Sequence, residues 1–232
     1  MGLFLRLFAQ TLDAFHAEWG PVLTVLAVLS IFIGNVIAIA QTNLKRLLGY
    51  STIAHMGFLF LALSLGCSAG NKAALFYLLT YALTTLAAFG LILFMSRLGV
   101  DADTLDDLKG LNKNHSWLAF MMLIVLLSMA GIPPLVGFDA KLFVLKALLD
   151  SNHLGLLIYA LLMSVAAAGY YLRVIKVMYF DEPGLNAHLS EKSRPKLSIF
   201  NFTGVVLSLN CLAVLFLGIF PNGLYSLAAS GF

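Results

Sequence analysis

Residues 128–146 read SMAGIPPLVGFDAKLFVLK, and this stretch decides how the chain around it can fold. It lies in a long apolar region, yet Gly131, Pro133 and Pro134 interrupt its backbone. A proline lacks the N–H and its ring clashes with the preceding turn, so a helix arriving from 116 stops or kinks near 131–134. Lipid offers no hydrogen-bond partners, so carbonyls released by the break need protein or water. A few residues later stands Lys141, among Phe, Leu, Val and Ala. A broken helix beside a buried ionisable group is the arrangement that membrane transporters use for ion sites.

Working outward, the 232 residues are 61% hydrophobic and only 11% charged, with a mean hydropathy of +0.95. Soluble domains carry roughly a quarter of their residues charged, so this is a polytopic membrane protein. The net charge of +3 is small and its basic residues fall in loops. That pattern sets membrane orientation and argues against a nucleic-acid partner. Cys67 and Cys211 form neither a metal motif nor a disulfide framework, and each reads as a free buried thiol. The sequence holds no P-loop, dinucleotide fingerprint, iron–sulfur cysteine cluster or haem ligand pair. We therefore expect no metal, no cofactor bound by this chain and no catalytic centre of its own.

The expected fold is all-α, a transmembrane helix bundle of about six spans with one discontinuous helix broken at Gly131–Pro134. Residues 1–20 form a short amphipathic run with Arg6 in its middle and no signal-peptide pattern. They read as an interfacial helix or as the tail of an incomplete helix. Spans follow at about 21–40, 47–66 and 73–97, each near the roughly 20 residues a crossing needs. Residues 116–150 would make a helix of ~50 Å, far beyond the ~30 Å hydrocarbon core. Two crossings at 116–131 and 137–150 would both be too short, which favours one discontinuous span, 116–130 then 137–150. The fifth span is 154–180, the polar loop DEPGLNAHLSEKSRPK leads to 199, and a final helix and tail occupy 200–232. Loops 41–46, 98–114 and 181–199 then share one side. They carry Lys45, Arg46, Lys109, Lys113, Lys192, Arg194 and Lys196, whereas the opposite loops offer Lys72. The positive-inside rule makes the first set cytoplasmic or matrix-facing.

Lys141 is the strongest candidate for chemistry. It falls in the first turns of the second half-helix, where the positive dipole end and apolar burial both disfavour an ammonium, as a proton relay requires. The bland alternative is a lysine that snorkels to an interface. Asp139 sits two residues away, a spacing that does not face Lys141 across a helix. His55, in the second span, carries an imidazole whose ordinary titration near ~6.5 suits proton transfer; a histidine bridging two helices is the alternative. Lys45 and Arg46 read as interfacial anchors, as do Trp19 and Trp117. Tyr77, Tyr81 and Thr84 recur at helical spacing, a pattern of interhelical hydrogen bonds that could also line a water path.

Three stretches, GNVIAIAQTNLKRLLGYSTIAHMGFL (34–59), SMAGIPPLVGFDAKLFVLKA (128–147) and YYLRVIKVMYF (170–180), carry a resemblance. Together they resemble the antiporter-like membrane subunits of respiratory complex I, NADH:quinone oxidoreductase, in the branch called subunit N, or subunit 2 in mitochondria. The same family includes subunits of multi-subunit sodium/proton antiporters. The resemblance covers nearly the whole chain and implies about fourteen helices in a full member, arranged as two inverted five-helix repeats. Each repeat holds a half-channel and a broken helix. The central proton-carrying lysine of the second repeat falls on Lys141, and a histidine of the polar membrane axis falls on His55. Asp139, Lys45 and Tyr81 are possible supporting residues for proton transfer.

The chain is about half the family length. The resemblance implies a C-terminal half that begins inside the eighth helix, with 21–180 as the second repeat and the first repeat's glutamate and lysines outside this sequence. The function so implied is proton translocation coupled to NADH-to-quinone electron transfer, as a non-redox subunit. NADH, flavin, iron–sulfur clusters and quinone would belong to the rest of the complex. The implied partners are the other membrane subunits of complex I and the lipid bilayer. The implied location is the bacterial inner (cell) membrane, rather than the mitochondrial one. The alternatives are a sodium/proton antiporter subunit and an inactive structural fragment.

Overall fold

The computed structural model describes residues 2–97, 103–182 and 202–230. A short helix α1 (Gly2–Arg6) leads through irregular turns into α2 (His16–Ala40), α3 (Leu44–Leu63) and α4 (Ser68–Arg97). A small surface helix α5 (Leu111–Asn114) precedes the broken pair α6 (Ser116–Ala130) and α7 (Val136–Asp150). Then come α8 (Leu154–Phe180), α9 (Phe202–Ile219) and α10 (Asn222–Ser230). Among the described residues the only β pairing is an isolated bridge between Asn43 and Thr104. Helices α2, α3, α4, α8 and α9 are each long and apolar enough to cross a membrane. The protein is a multi-pass helical membrane bundle.

At 15 residues each, α6 and α7 are too short to cross alone. Their packing makes them one crossing. At one end of the bundle the Cys67 Sγ before α4 lies 3.9 Å from the Ser151 Oγ after α7. Further along α4, Phe76 packs edge-on against Phe143 of α7. Towards the other end Gly90 abuts Leu207 of α9, and the neighbouring Ser208 accepts the Trp117 indole N–H at the start of α6. The pair α6–α7 thus runs antiparallel to the whole of α4, with its break midway. The expected division at 130 and 137 differs from the observed one by a single residue.

Other boundaries moved by a turn, for identifiable reasons. Helix α2 begins at His16 rather than near Pro21, because His16 Nε2 binds the Ser64 carbonyl at 2.8 Å and Trp19 donates to the Leu12 carbonyl. A proline this near a helix start costs one backbone bond. Helix α3 begins at Leu44 because Asn43 caps it, its Oδ1 accepting from the Arg46 amide at 3.0 Å. The loops at 41–46, 103–109 and 181–182 lie on one side, tied by ion pairs Lys45–Asp103 and Lys113–Glu182 and by backbone bonds from Leu44 to Asp103 and from Leu105 to Thr42. Asp101, Lys192, Arg194 and Lys196 lie outside the described residues. Cys67 is half-buried and Cys211 buried, both free.

Helices α2 and α3 approach closely through glycines. A Cβ at Gly34 would lie 2.6 Å from the Ala54 amide nitrogen and 2.8 Å from the Tyr50 carbonyl oxygen; one at Gly57 would lie 2.9 Å from the Ala27 carbonyl oxygen. Between lipid-facing helices, hydrophobicity supplies no preference for helix over lipid, so close backbone approach at small residues drives association. The neighbouring atoms at Gly34 are backbone and cannot rotate away. Gly34→Leu should therefore destabilise the folded protein by about 1–3 kcal/mol, read as a lower thermal midpoint in detergent; an unchanged midpoint would show that α2 and α3 do not approach this closely.

Candidate functional site

Helix α6 ends as its sequence demands. Gly131 takes a left-handed conformation (φ 83°), which a glycine adopts without strain. The Gly131 amide donates to the Ser128 carbonyl at 3.0 Å and the Ile132 amide to the Leu127 carbonyl at 3.1 Å. This is the six-to-one and five-to-two bonding of a Schellman cap. It leaves the Ala130 carbonyl facing the break. Lys141 fills that vacancy, its Nζ donating to the Ala130 carbonyl oxygen at 2.8 Å. The partner that the freed carbonyl needs is the buried lysine of the next half-helix.

Lys141 is the sixth residue of α7 and only 5% exposed. Its side chain lies over Gly131, where a Cβ would come within 2.8 Å of the lysine Cδ. The Nζ stands 5.7 Å from the centre of the Phe58 ring. Desolvating an ammonium costs several kcal/mol. One charge-assisted hydrogen bond returns roughly 1.5–3 kcal/mol and a ring face roughly 0.5–2. No carboxylate pairs with Lys141 among the described residues. A charge here is held in place but not fully compensated. Asp139, half-buried in the first turn of α7, forms no ion pair among the described residues.

The two half-helices also pass close to one another. The Gly137 amide donates to the Ser128 Oγ at 3.2 Å, and a Cβ on Gly137 would collide with the Ser128 carbonyl oxygen. Helix α9 closes the far side, where Gly218 sits directly on the backbone of Pro134 and Val136. The loop is thus held at Gly131 by the Lys141 side chain and at Pro134 by Gly218, while Pro133 and Pro134 are exposed.

His55 lies across from the break on α3. Its Nδ1 is 2.7 Å from the Tyr77 hydroxyl of α4 and its Nε2 is 3.1 Å from the Tyr171 hydroxyl of α8. Both ring nitrogens therefore have protein partners, the geometry of a group that can take a proton at one nitrogen and release it at the other. Tyr81 packs against the imidazole at 4.8 Å and donates to the Thr52 hydroxyl at 2.7 Å. On the α8 side, Tyr170 donates to the Asn35 side-chain oxygen at 3.2 Å. A small cavity joins the two halves of the site. It is lined by His55, Tyr77, Thr80, Tyr81 and Thr84 on one side and by Ser128, Met129, Gly137 and Ala140 on the other. The space open to the centre of a water molecule is ≈ 10 Å³, about the room of one water.

The structure thus brings Lys141, His55, Tyr81 and the break residues Gly131, Pro133 and Pro134 into one region. It does not bring Lys45 there. Lys45 lies at the exposed start of α3, paired with Asp103. Sequence reasoning missed Ser128, Tyr171 and Asn35 as members of the site. Ser128 stood in the motif itself, nine residues before Gly137, but nothing local shows that the half-helices overlap. No cluster of His, Cys, Asp or Glu suited to a metal occurs among the described residues.

The family model described as "NADH:quinone oxidoreductase/Mrp antiporter, TM" matches residues 1–167. The chain is 48% identical over 228 residues to NADH-quinone oxidoreductase subunit N of Thioalkalivibrio sulfidiphilus, covering 98% of this chain and 46% of that protein. To the subunit N of Methylovorus glucosotrophus it is 47% identical over 225 residues, covering 97% and 45%. The chain therefore spans about half the length of the curated relatives it matches. Among solved structures it superposes on a chain of respiratory complex I from Thermus thermophilus with bound aureothin. There the TM-score is 0.72 at 30% identity, over 90% of this chain and 46% of the other. It also superposes on a chain of the Mrp complex from a Dietzia species, with TM-score 0.82 at 22% identity, over 98% and 49%; that likeness concerns the fold alone.

Gly131→Ala combines a positive φ with a methyl group directed at the Lys141 side chain. It should cost roughly 1–2 kcal/mol in backbone strain alone and displace Lys141 from the Ala130 carbonyl. Hydrogen exchange checks this: peptides spanning 127–143 should exchange faster while those of α8 do not, and equal protection in both proteins would contradict the cap.

Proposed function

We propose, from the premise that the chain belongs to the NADH:quinone oxidoreductase/Mrp antiporter transmembrane family, that it serves as a proton-translocating membrane subunit of an NADH:quinone oxidoreductase. The observation that carries this reading is Lys141, buried and bonded to the carbonyl exposed by the helix break. A small cavity lined by Ala140, the residue before it, reaches a histidine engaged at both nitrogens.

Lys141 is the proton-exchanging group of this reading. Its charge is costly where it sits, so changes in hydration or field at the break move its proton on or off. Driving one charge against a membrane potential takes about 2.3 kcal/mol per 100 mV. That is within the several kcal/mol by which desolvation acts on a buried ion, so modest rearrangement of the break is sufficient leverage. His55 passes protons between the cavity and the Tyr171 side of α8, with Tyr77 and Tyr81 holding its ring. Asp139 lies near enough to the start of α7 to bias the local field; Lys45 has a surface role as an anchor. The chain contributes no redox group. Electrons would move through NADH, flavin, iron–sulfur clusters and quinone held by other subunits, in a bacterial inner membrane with the basic loops facing the cytoplasm.

Relatives bearing the name subunit N, at 45–48% identity, favour this over a sodium/proton antiporter. The Mrp likeness, at 22% identity, supports the shared fold. Lys141→Met in the assembled oxidoreductase should lower NADH-driven proton uptake into vesicles by roughly tenfold or more, with NADH oxidation by an artificial acceptor preserved. Normal pumping by this variant contradicts the reading. Transport that depends on sodium and runs without NADH would point to the antiporter instead.

A further inference from the structure

The two half-helices cap one another. Helix α6 ends on a carbonyl that Lys141 of α7 satisfies. Helix α7 in turn begins without a cap of its own: Leu135, the residue before it, offers no side-chain bond. Among the amides left open at its start is that of Gly137, and the acceptor comes from the last turn of α6, the Ser128 Oγ at 3.2 Å. Ser128 is fully buried, so apart from the one-water cavity that it lines no water stands ready to replace it. The approach is possible only because residue 137 has no side chain, since a Cβ there would strike the Ser128 carbonyl.

The two caps differ in kind. The Lys141 cap is made by a mobile, ionisable side chain, which must be free to exchange its proton if the proposed function holds. The Ser128 cap is neutral and short, and does not change with proton transfer. When Lys141 moves or alters its charge, the neutral cap is what keeps the half-helices side by side. We propose that Ser128 is a positioning residue. Through the Gly137 amide it holds the half-helix bearing Lys141 in register with the Ala130 carbonyl, so that Lys141 returns to the same place after each proton exchange. This rests on the reading of Lys141 as the proton-exchanging group.

The geometry dictates which substitutions discriminate. Ser128→Ala removes the acceptor and leaves the Gly137 N–H without its protein partner. Ser128→Cys keeps nearly the same volume but offers a weak acceptor. Ser128→Thr retains the oxygen. Each is made in the assembled oxidoreductase, with Lys141→Met alongside, and read as protons pumped per NADH oxidised and as hydrogen exchange across 132–143. Loss of the one bond should open the segment about fivefold more often. The expected pattern is faster exchange at 132–143 and reduced proton yield in Ala and Cys, with Thr restoring both towards the parent. Equal effects in all three would mark a packing role and overturn the proposal. So would a parental proton yield in Ser128→Ala, if Lys141→Met has lost pumping. Parental pumping in Lys141→Met would instead defeat the underlying reading of Lys141, whatever the serine variants do.

Discussion

Everything at the centre of this bundle depends on one hydrogen bond, from the Lys141 ammonium to the Ala130 carbonyl. A helix interrupted inside a bilayer exposes carbonyls that lipid cannot satisfy, each at a cost of several kcal/mol. A lysine buried in the same place is costly for the converse reason, as a donor and a charge without water. Each defect supplies what the other lacks. The Schellman cap at Gly131 satisfies the Leu127 and Ser128 carbonyls and turns Ala130 towards the lysine. The rest of the structure keeps those two groups together.

The scaffold achieves this with close contacts at small residues. Gly34 and Gly57 bring α2 against α3, which carries His55; Gly218 brings α9 onto the backbone of the break; Gly137 lets α7 lie against α6. Helix α4 runs the length of the broken pair and contributes Tyr77 and Tyr81. Under the proposed function, such a close-packed frame around a broken helix suits a site whose charge changes. The polar groups are fixed by neighbours on several helices, while the buried lysine beside the break hangs on a single carbonyl.

Much of the fold was legible in the sequence. Proline and glycine chemistry located the break to within a residue, because a missing N–H and a left-handed turn are local requirements. Hydropathy located the spans, and their ends shifted where a cap or a distant partner intervened, as at Asn43 and at His16 with Ser64. Lys141 was legible because a lysine in an apolar helix is anomalous wherever that helix goes. The neighbours of His55 were only partly so. Tyr77 lay on a visible stripe, but Tyr171 is 116 residues away in the chain. Its pairing depends on how α8 packs, which no local pattern encodes. Ser128 was missed for the same reason: its role exists only once two half-helices overlap. Lys45 reads from the sequence as an interfacial anchor and was kept as a possible supporting residue; the structure places it at the exposed start of α3, paired with Asp103 and away from the break.

The central claim is that Lys141 exchanges its proton while seated at the break. Solid-state NMR of the assembled protein labelled with 15N at lysine Nζ tests it directly, with Lys141→Arg identifying the signal. The account predicts a Lys141 resonance that moves between ammonium and amine positions when NADH-driven turnover begins. A resonance that stays at the ammonium position with and without turnover would contradict it.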